Sequence, residues 1–149
     1  MDLRRLGNIA NLSTPAGLLI AAVGRARVRG GPHGLLLAEG WRLPLQAGAF
    51  TVGNVVITRG RFTDLVGAVP RVLEHESRHA SQWLAWGGPP FLVAYGLGAA
   101  RSLLVSGDRA AHNPFERAAG LADGGYEDVP VRRLLFRRPG RRAPRRSRR

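Results

Sequence analysis

The stretch that decides the fold is Leu73-Glu74-His75-Glu76-Ser77-Arg78-His79-Ala80-Ser81-Gln82-Trp83, near the middle of the 149-residue chain. It contains the pattern His-Glu-x-x-His. Residues four apart lie on one face of an α-helix, so both imidazoles can bind the same metal ion, and Glu76 projects beside them. The stretch therefore predicts a helix that carries a metal site, and a third ligand is expected elsewhere in the chain.

The surrounding sequence is also typical of a helix. From Leu65 onward, apolar residues recur at three- and four-residue spacings. Pro70 either starts this helix or follows a short preceding turn. Gly87-Gly88-Pro89-Pro90 ends it.

Other segments predict short strands and further helices. Residues 16–23 follow a helix-start signal. Residues 50–58 are rich in β-branched residues and predict one strand, in which Gly53 indicates a bulge or a close backbone approach. Residues 35–38 and 41–45 resemble a hairpin. We therefore expect an α+β fold in which short antiparallel strands pack on the metal-site helix and on further helices.

Residues 91–105 form an apolar segment with a single charge, Arg101. The segment is shorter than the roughly 20 residues that a membrane span needs. Extending it back to residue 83 gives enough length, but the Gly-Gly-Pro-Pro break interrupts it. A buried helix is the favoured prediction, and membrane association of residues 83–105 is the alternative.

Positive charge is concentrated at the C-terminus. All 23 basic residues are arginines, and ten of them lie between Arg132 and Arg149. We predict a metal-binding domain over residues 1–130 and an Arg-rich disordered tail over residues 131–149. Such a tail suits nucleic acid or an anionic membrane surface, and a solvated tail without a partner is the alternative.

The chain has no cysteine, which excludes disulfides and thiolate ligands. Any metal must therefore be bound through nitrogen and oxygen atoms. A reducing compartment is allowed, and we expect a cytoplasmic location with membrane association as the alternative.

The third ligand must come from the region after the helix, where His112, Glu116, Asp123, Glu127 and Asp128 are candidates. Glu116 is favoured because Asn113-Pro114 predicts the start of a helix that runs to about residue 122. The alternative is that Glu116 binds no metal and only places a favourable negative charge near the N-terminus of the helix. His112 precedes the cap and is better placed to contact substrate or an oxyanion.

A catalytic zinc ion keeps three protein ligands and one open position, which fits this set of candidates. Glu76 would act as general base towards the attacking water. Gln82, one turn beyond His79, either hydrogen-bonds a ligand or makes a simple polar contact. Tyr95 and Tyr126 are further candidates to donate a hydrogen bond to an oxyanion.

Three stretches of the chain resemble a group of small bacterial zincin-like proteins: His75-Glu76-x-x-His79-x-x-Gln82, Gly88-Pro89-x-Phe91-Leu92 and Asn113-Pro114-Phe115-Glu116-x-x-Ala119. In that group, as in gluzincin metallopeptidases generally, the third ligand is a glutamate on a later helix. The resemblance spans residues 50–122. It implies His75, His79 and Glu116 as zinc ligands, Glu76 as base, and an edge strand at residues 50–58 that pairs with an extended peptide.

The expected activity is therefore zinc-dependent hydrolysis of peptide bonds in a peptide or protein substrate. Two other functions stay open. One is a zincin fold that binds metal without proteolysis. The other is a protein that binds nucleic acid or an anionic membrane surface and uses the helix motif structurally.

Overall fold

The computed structural model of the chain describes residues 2–44 and 48–132. Within these residues, six α-helices and a four-stranded sheet confirm the predicted α+β class. The helices are α1 Leu3–Ala10, α2 Ser13–Val23, α3 Phe62–Ala68, α4 Val72–Ala85, α5 Pro90–Ser106 and α6 Pro114–Ala119. The strands are β1 Arg27–Gly30, β2 Leu36–Glu39, β3 Ala49–Val52 and β4 Val55–Thr58.

The sheet is mixed, with strand order β1-β2-β4-β3. Strands β2 and β4 run parallel, and the other two pairs are antiparallel. The predicted antiparallel strands are confirmed in two of the three pairs, and the parallel pairing of β2 with β4 was not predicted. The predicted hairpin was wrong, because β2 pairs with β1, and residues 41–44 form no strand. Residue 45, the end of that prediction, lies outside the described residues.

The segment predicted as one strand over residues 50–58 is a hairpin of two strands. Val52 pairs with Val55, so Gly53 and Asn54 form the turn. Gly53 has φ of 61°, and a Cβ atom there would lie 2.4 Å from the backbone nitrogen of Thr14. The predicted close backbone approach is thus confirmed. The turn places β3 at the edge of the sheet and β4, which is buried throughout, inside it.

Helices cover both faces of the sheet. On one face, Leu37 and Val56 pack in one cluster with Phe62 of α3 and Ala80 of α4. On the other face, Val55, Ile57 and Ala38 pack with Ala21 of α2. Burial of these apolar side chains stabilises the fold and fixes α4 against the sheet.

Helix α1, which was not predicted, holds α4 from its outer side. Asn8 is fully buried, and its side-chain amide donates to the carbonyl of Ala80 at 2.8 Å. The guanidinium of Arg4 donates to the carbonyl and hydroxyl of Ser77, at 3.0 and 2.6 Å. These contacts restrain the middle of α4.

The later helices agree with the sequence prediction, except at their ends and in burial. Asn113 caps α6 by accepting a hydrogen bond from the backbone N–H of Phe115, as expected, but α6 ends at Ala119 rather than near residue 122. Helix α5 is buried along one side only. Among the described residues no single helix is long and apolar enough to span a membrane, although α1 and α2 together meet that test across a 73° bend.

The predicted disordered tail lies outside the described residues from position 133 onward. Its described part consists of residues 131 and 132.

Candidate metal centre

Three potential ligand atoms converge between α4 and α6. The Nε2 atoms of His75 and His79 are 3.0 Å apart. The Oε2 atom of Glu116 lies 3.2 Å from the first and 3.3 Å from the second. All three residues are buried. This group can hold a metal ion.

The outer nitrogen of each histidine faces a group that only accepts hydrogen bonds. Nδ1 of His75 lies 3.0 Å from the carbonyl oxygen of Gly120. Nδ1 of His79 lies 2.8 Å from Oε1 of Gln82, whose amide nitrogen donates to the carbonyl of Phe115. Both Nδ1 atoms must therefore carry the proton, and in the neutral rings both Nε2 lone pairs point towards Glu116. The predicted contact of Gln82 is a hydrogen bond to a ligand.

Glu116 is fixed by the residues around it. The hydroxyl of Tyr95 donates to its Oε1, which leaves Oε2 directed at the two histidines. Burial opposes ionisation of Glu116, but protonated imidazoles of His75 and His79, which donate to the carboxylate from Nε2, outweigh burial and hold its pKa well below the usual range. An ionised carboxylate beside two neutral imidazoles is the state that binds a divalent cation.

Glu76 faces the same cavity as the three ligand atoms. It follows His75 on α4 and is 5% exposed. The hydroxyl of Thr51, on strand β3, donates to its Oε2 at 2.6 Å. This contact holds the carboxylate between the edge strand and the metal-site helix.

A cavity of about 440 Å³ opens next to the four residues. Its other walls come from α2, β3 and the first turns of α5, and they are mostly apolar. Val52, Trp83 and Phe91 form one of these walls, and they pack together as a buried cluster. Tyr126 also lines the cavity, and its ring centroid is 5.9 Å from that of His75.

The segment after α6 supports His75 closely. Gly120 supplies the carbonyl that fixes the ring, and Gly124 packs against its edge. A Cβ atom on Gly124 would lie 2.6 Å from Cε1 of His75, so a side chain there would displace the ring. Arg78, between the two histidines, donates to Asp123 at 2.6 Å and joins this segment to α4.

The structure brings together His75, His79, Glu76 and Glu116, as the sequence predicts. It does not bring His112 to them. His112 does not line the cavity, and its Nε2 lies 2.8 Å from the carbonyl oxygen of Val129.

The other three acidic candidates take no part in the cluster. Asp123 pairs with Arg78 at 2.6 Å. Asp128 pairs with Arg117 at 2.9 Å, and Glu127 does not line the cavity. The sequence did not predict the contact of Thr51 with Glu76 or that of Gly124 with His75, because neither Thr51 nor Gly124 belongs to a motif.

Searches of protein-family models, curated proteins and solved structures found no match for this chain. The function must therefore be inferred from the geometry of the site.

Proposed function

We propose that this protein is a zinc-dependent metallopeptidase that hydrolyses peptide bonds at the His75–His79–Glu116 site. The observation that carries the proposal is the convergence of three buried ligand atoms within 3.3 Å of one another, at a cavity that Glu76 also lines. Two histidines and a glutamate form one of the ligand sets of catalytic zinc sites, and the His-Glu-x-x-His spacing places a base beside it.

The spacing of the ligand atoms supports zinc. In a tetrahedral site with bonds of about 2.0–2.1 Å, neighbouring ligand atoms are about 3.3 Å apart. The three distances here are 3.0, 3.2 and 3.3 Å. The residues present therefore fit the ion with little rearrangement.

Each side chain then has a distinct task. When bound, zinc lowers the pKa of a coordinated water towards about 7 and polarises a substrate carbonyl. Glu76 accepts a proton from the attacking water and transfers it to the leaving amine. Thr51 keeps Glu76 in position for both steps.

Tyr126 is our candidate donor to the oxyanion. Burial, with the negative charges of Glu116 and Glu76, raises the pKa of Tyr126 well above its usual range. Its hydroxyl therefore keeps its proton and can donate a hydrogen bond. Tyr95 is excluded from this task because its hydroxyl already donates to Glu116.

The position of strand β3 favours a peptide substrate. It is the edge strand beside the metal-site helix, and its residues line the cavity. An extended peptide can pair with such an edge. The carbonyl of Thr51 already accepts from the indole N–H of Trp83 at 2.9 Å, so only its second lone pair is open to a peptide.

The metal is tested by elemental analysis of purified full-length protein. We expect about one zinc ion per chain, and its loss in both His75→Ala and Glu116→Ala. Glu74→Gln is the matched control, because Glu74 is a half-buried carboxylate on the same helix that pairs with Arg71 and is not part of the ligand group. Retention of zinc in both ligand variants would disprove the site.

Hydrolysis is tested with a fluorogenic peptide library. Glu76→Gln should keep one zinc ion and lower kcat by at least about 100-fold, because it removes the general base. Glu74→Gln should keep wild-type activity. If wild-type protein binds zinc but cleaves no peptide in the library, the alternative of a metal-binding zincin-like protein without proteolysis replaces the proposal.

A further inference from the structure

Helix α2 presents an outer face without polar side chains. The helix contains no charged residue, and its two hydroxyl residues, Ser13 and Thr14, are buried. Leu19 and Val23 are 66% and 63% exposed. The exposed positions of the helix are Pro15, Ala16, Leu18, Leu19, Ala22 and Val23.

Helix α5 has a similar outer stripe. Leu92, Leu97 and Leu104 are 57%, 69% and 75% exposed. Together with Val93 they recur at the spacing of one helix face, so they form a continuous apolar stripe. Arg101 is the one charged residue of this helix. Contiguous apolar surfaces of this kind mark interaction sites.

The cavity of the metal site opens between these two faces. Four of its lining residues are exposed, and all four are apolar. Leu12 immediately precedes α2, and Ala16 lies in its first turn. Pro89 immediately precedes α5, and Leu92 lies in its first turn. A molecule that reaches the cavity along this route therefore passes the exposed apolar faces of α2 and α5.

Positive charge adjoins both helices. Arg25, Arg27 and Arg29 follow α2. At the other helix, the backbone N–H of Arg132 donates to the carbonyl of Val105 at 2.8 Å, and its Nε donates to the carbonyl of Ser106 at 3.1 Å. The described chain therefore leaves from the C-terminal end of α5, and the sequence beyond it contains nine more arginines.

We propose that the apolar outer faces of α2 and α5 dock on an anionic phospholipid bilayer, so that the cavity mouth faces the lipid. Apolar side chains flanked by arginines match the interfacial layer of such a membrane, where leucines enter the acyl region and arginines meet anionic headgroups. A second copy of the chain is the weaker occupant, because two chains of net charge +13 repel each other.

Docking does not require hydrolysis, so it goes beyond the proposed function. If the site is a peptidase, docking would present membrane-bound peptide segments to Glu76 and the metal ligands.

The test is flotation of the full-length protein with vesicles of phosphatidylglycerol and phosphatidylcholine in equal amounts, and with vesicles of phosphatidylcholine alone. Wild-type protein should bind the anionic vesicles, and binding should weaken with salt. The variants Leu97→Glu/Leu104→Glu and Leu19→Glu/Val23→Glu should each lower the affinity at least tenfold. Thr63→Glu/Ser81→Glu adds the same charge at exposed positions of α3 and α4 and should bind almost as wild type does.

Zinc content and oligomeric state complete the test. The two double variants of the apolar faces, Leu97→Glu/Leu104→Glu and Leu19→Glu/Val23→Glu, are called the face variants. The face variants should keep their zinc, which shows that they are folded. Glu76→Gln should bind vesicles as wild type does, even if hydrolysis is lost. If the face variants bind vesicles as tightly as Thr63→Glu/Ser81→Glu does, the proposal is overturned. Vesicle binding would then be due to the arginines alone. If wild-type protein is a dimer that does not bind vesicles, and the face variants are monomeric, the two faces bind a second copy of the chain instead.

Discussion

Gln82 affects the metal site through His79. Its Oε1 accepts the Nδ1 proton of His79 at 2.8 Å and so fixes which ring nitrogen faces His75 and Glu116. Replacement of Gln82 by leucine should weaken metal affinity about 10–100-fold, the range typical for loss of a partner of a ligand. Ser81→Ala, at the exposed neighbouring position, should leave the affinity unchanged. Competition titration with a chromogenic chelator measures both, and equal affinities for the two variants would contradict the role of Gln82.

Gly124 is needed for space rather than for backbone conformation. A methyl group there would meet the ring of His75 at 2.6 Å, so Gly124→Ala should displace this ligand and weaken metal binding. Gly67→Ala is the control, because Gly67 lies in α3 with open space where a Cβ atom would stand, and alanine there should add about 0.5–1 kcal/mol of stability. Metal affinity that falls equally in both variants, or in neither, would show that the packing of Gly124 against His75 is irrelevant.

The sequence predicted the residues whose roles follow from local geometry. His75 and His79 follow from helical periodicity, and Glu116 follows from the Asn113-Pro114 helix start. Thr51 and Gly124 could not be predicted, since their contacts depend on how β3 and the segment after α6 pack on α4. The misplaced role of His112 has the same cause, because its ring is turned towards Val129 by a contact formed only in the folded chain.

On the scale of elements, α1 and α4 are joined by a buried polar contact. Asn8 donates to the carbonyl of Ala80 and, at 3.2 Å, to Oδ1 of Asn54. Asn8→Ala removes two buried hydrogen bonds and should lower the free energy of unfolding by about 1–3 kcal/mol. Ser81→Ala, at the exposed surface of α4, should change it by less than about 0.5 kcal/mol. Urea denaturation measures both, and similar values for the two would show that α1 does not restrain α4.

Element type was predicted better than element pairing. The β-branched run at residues 50–58 is extended as expected, yet Gly53 turns it into a hairpin, because its φ of 61° reverses the chain. The parallel pairing of β2 with β4 joins segments separated by β3, and no local pattern encodes it. Helix α5 was predicted as buried from its apolar composition, which cannot distinguish a core helix from one with an exposed apolar side.

For the whole molecule, a metal ion would join helices that are distant in sequence. The histidines come from α4, Glu116 from α6, and Tyr95 on α5 holds Glu116. A metal at 100 times its Kd stabilises the folded state by about 2.7 kcal/mol. Chelation should therefore lower the Tm of this chain by about 5–10 °C in a thermal melt. His75→Ala/Glu116→Ala should melt at the same temperature with and without chelator, and a chelator effect in that variant would place the stabilising ion elsewhere.

Without metal, stability should depend on pH through Glu116 and His79. Burial lowers the pKa of His79, but its hydrogen bond to Glu116 and nearby negative charge raise the pKa overall. A raised histidine pKa stabilises the fold below about pH 6.5, and that contribution is lost as pH rises through the folded value. The lowered pKa of Glu116 stabilises above about pH 4.3, and that contribution is lost as pH falls towards the folded value.

In the metal-free protein, the stabilisation that Glu116 and His79 contribute should therefore be largest between about pH 4.3 and 6.5. Urea denaturation in chelator across pH 4 to 8 measures this, with Glu116→Gln as the comparison. That variant removes the hydrogen bond and charge of Glu116, which raise the pKa of His79, while Glu76 and Gln82 still raise it. The pKa of His79 should therefore fall, and the loss of stability above about pH 6.5 should become smaller. Equal pH slopes for wild type and Glu116→Gln in that range would show that the two residues are not coupled in the metal-free protein.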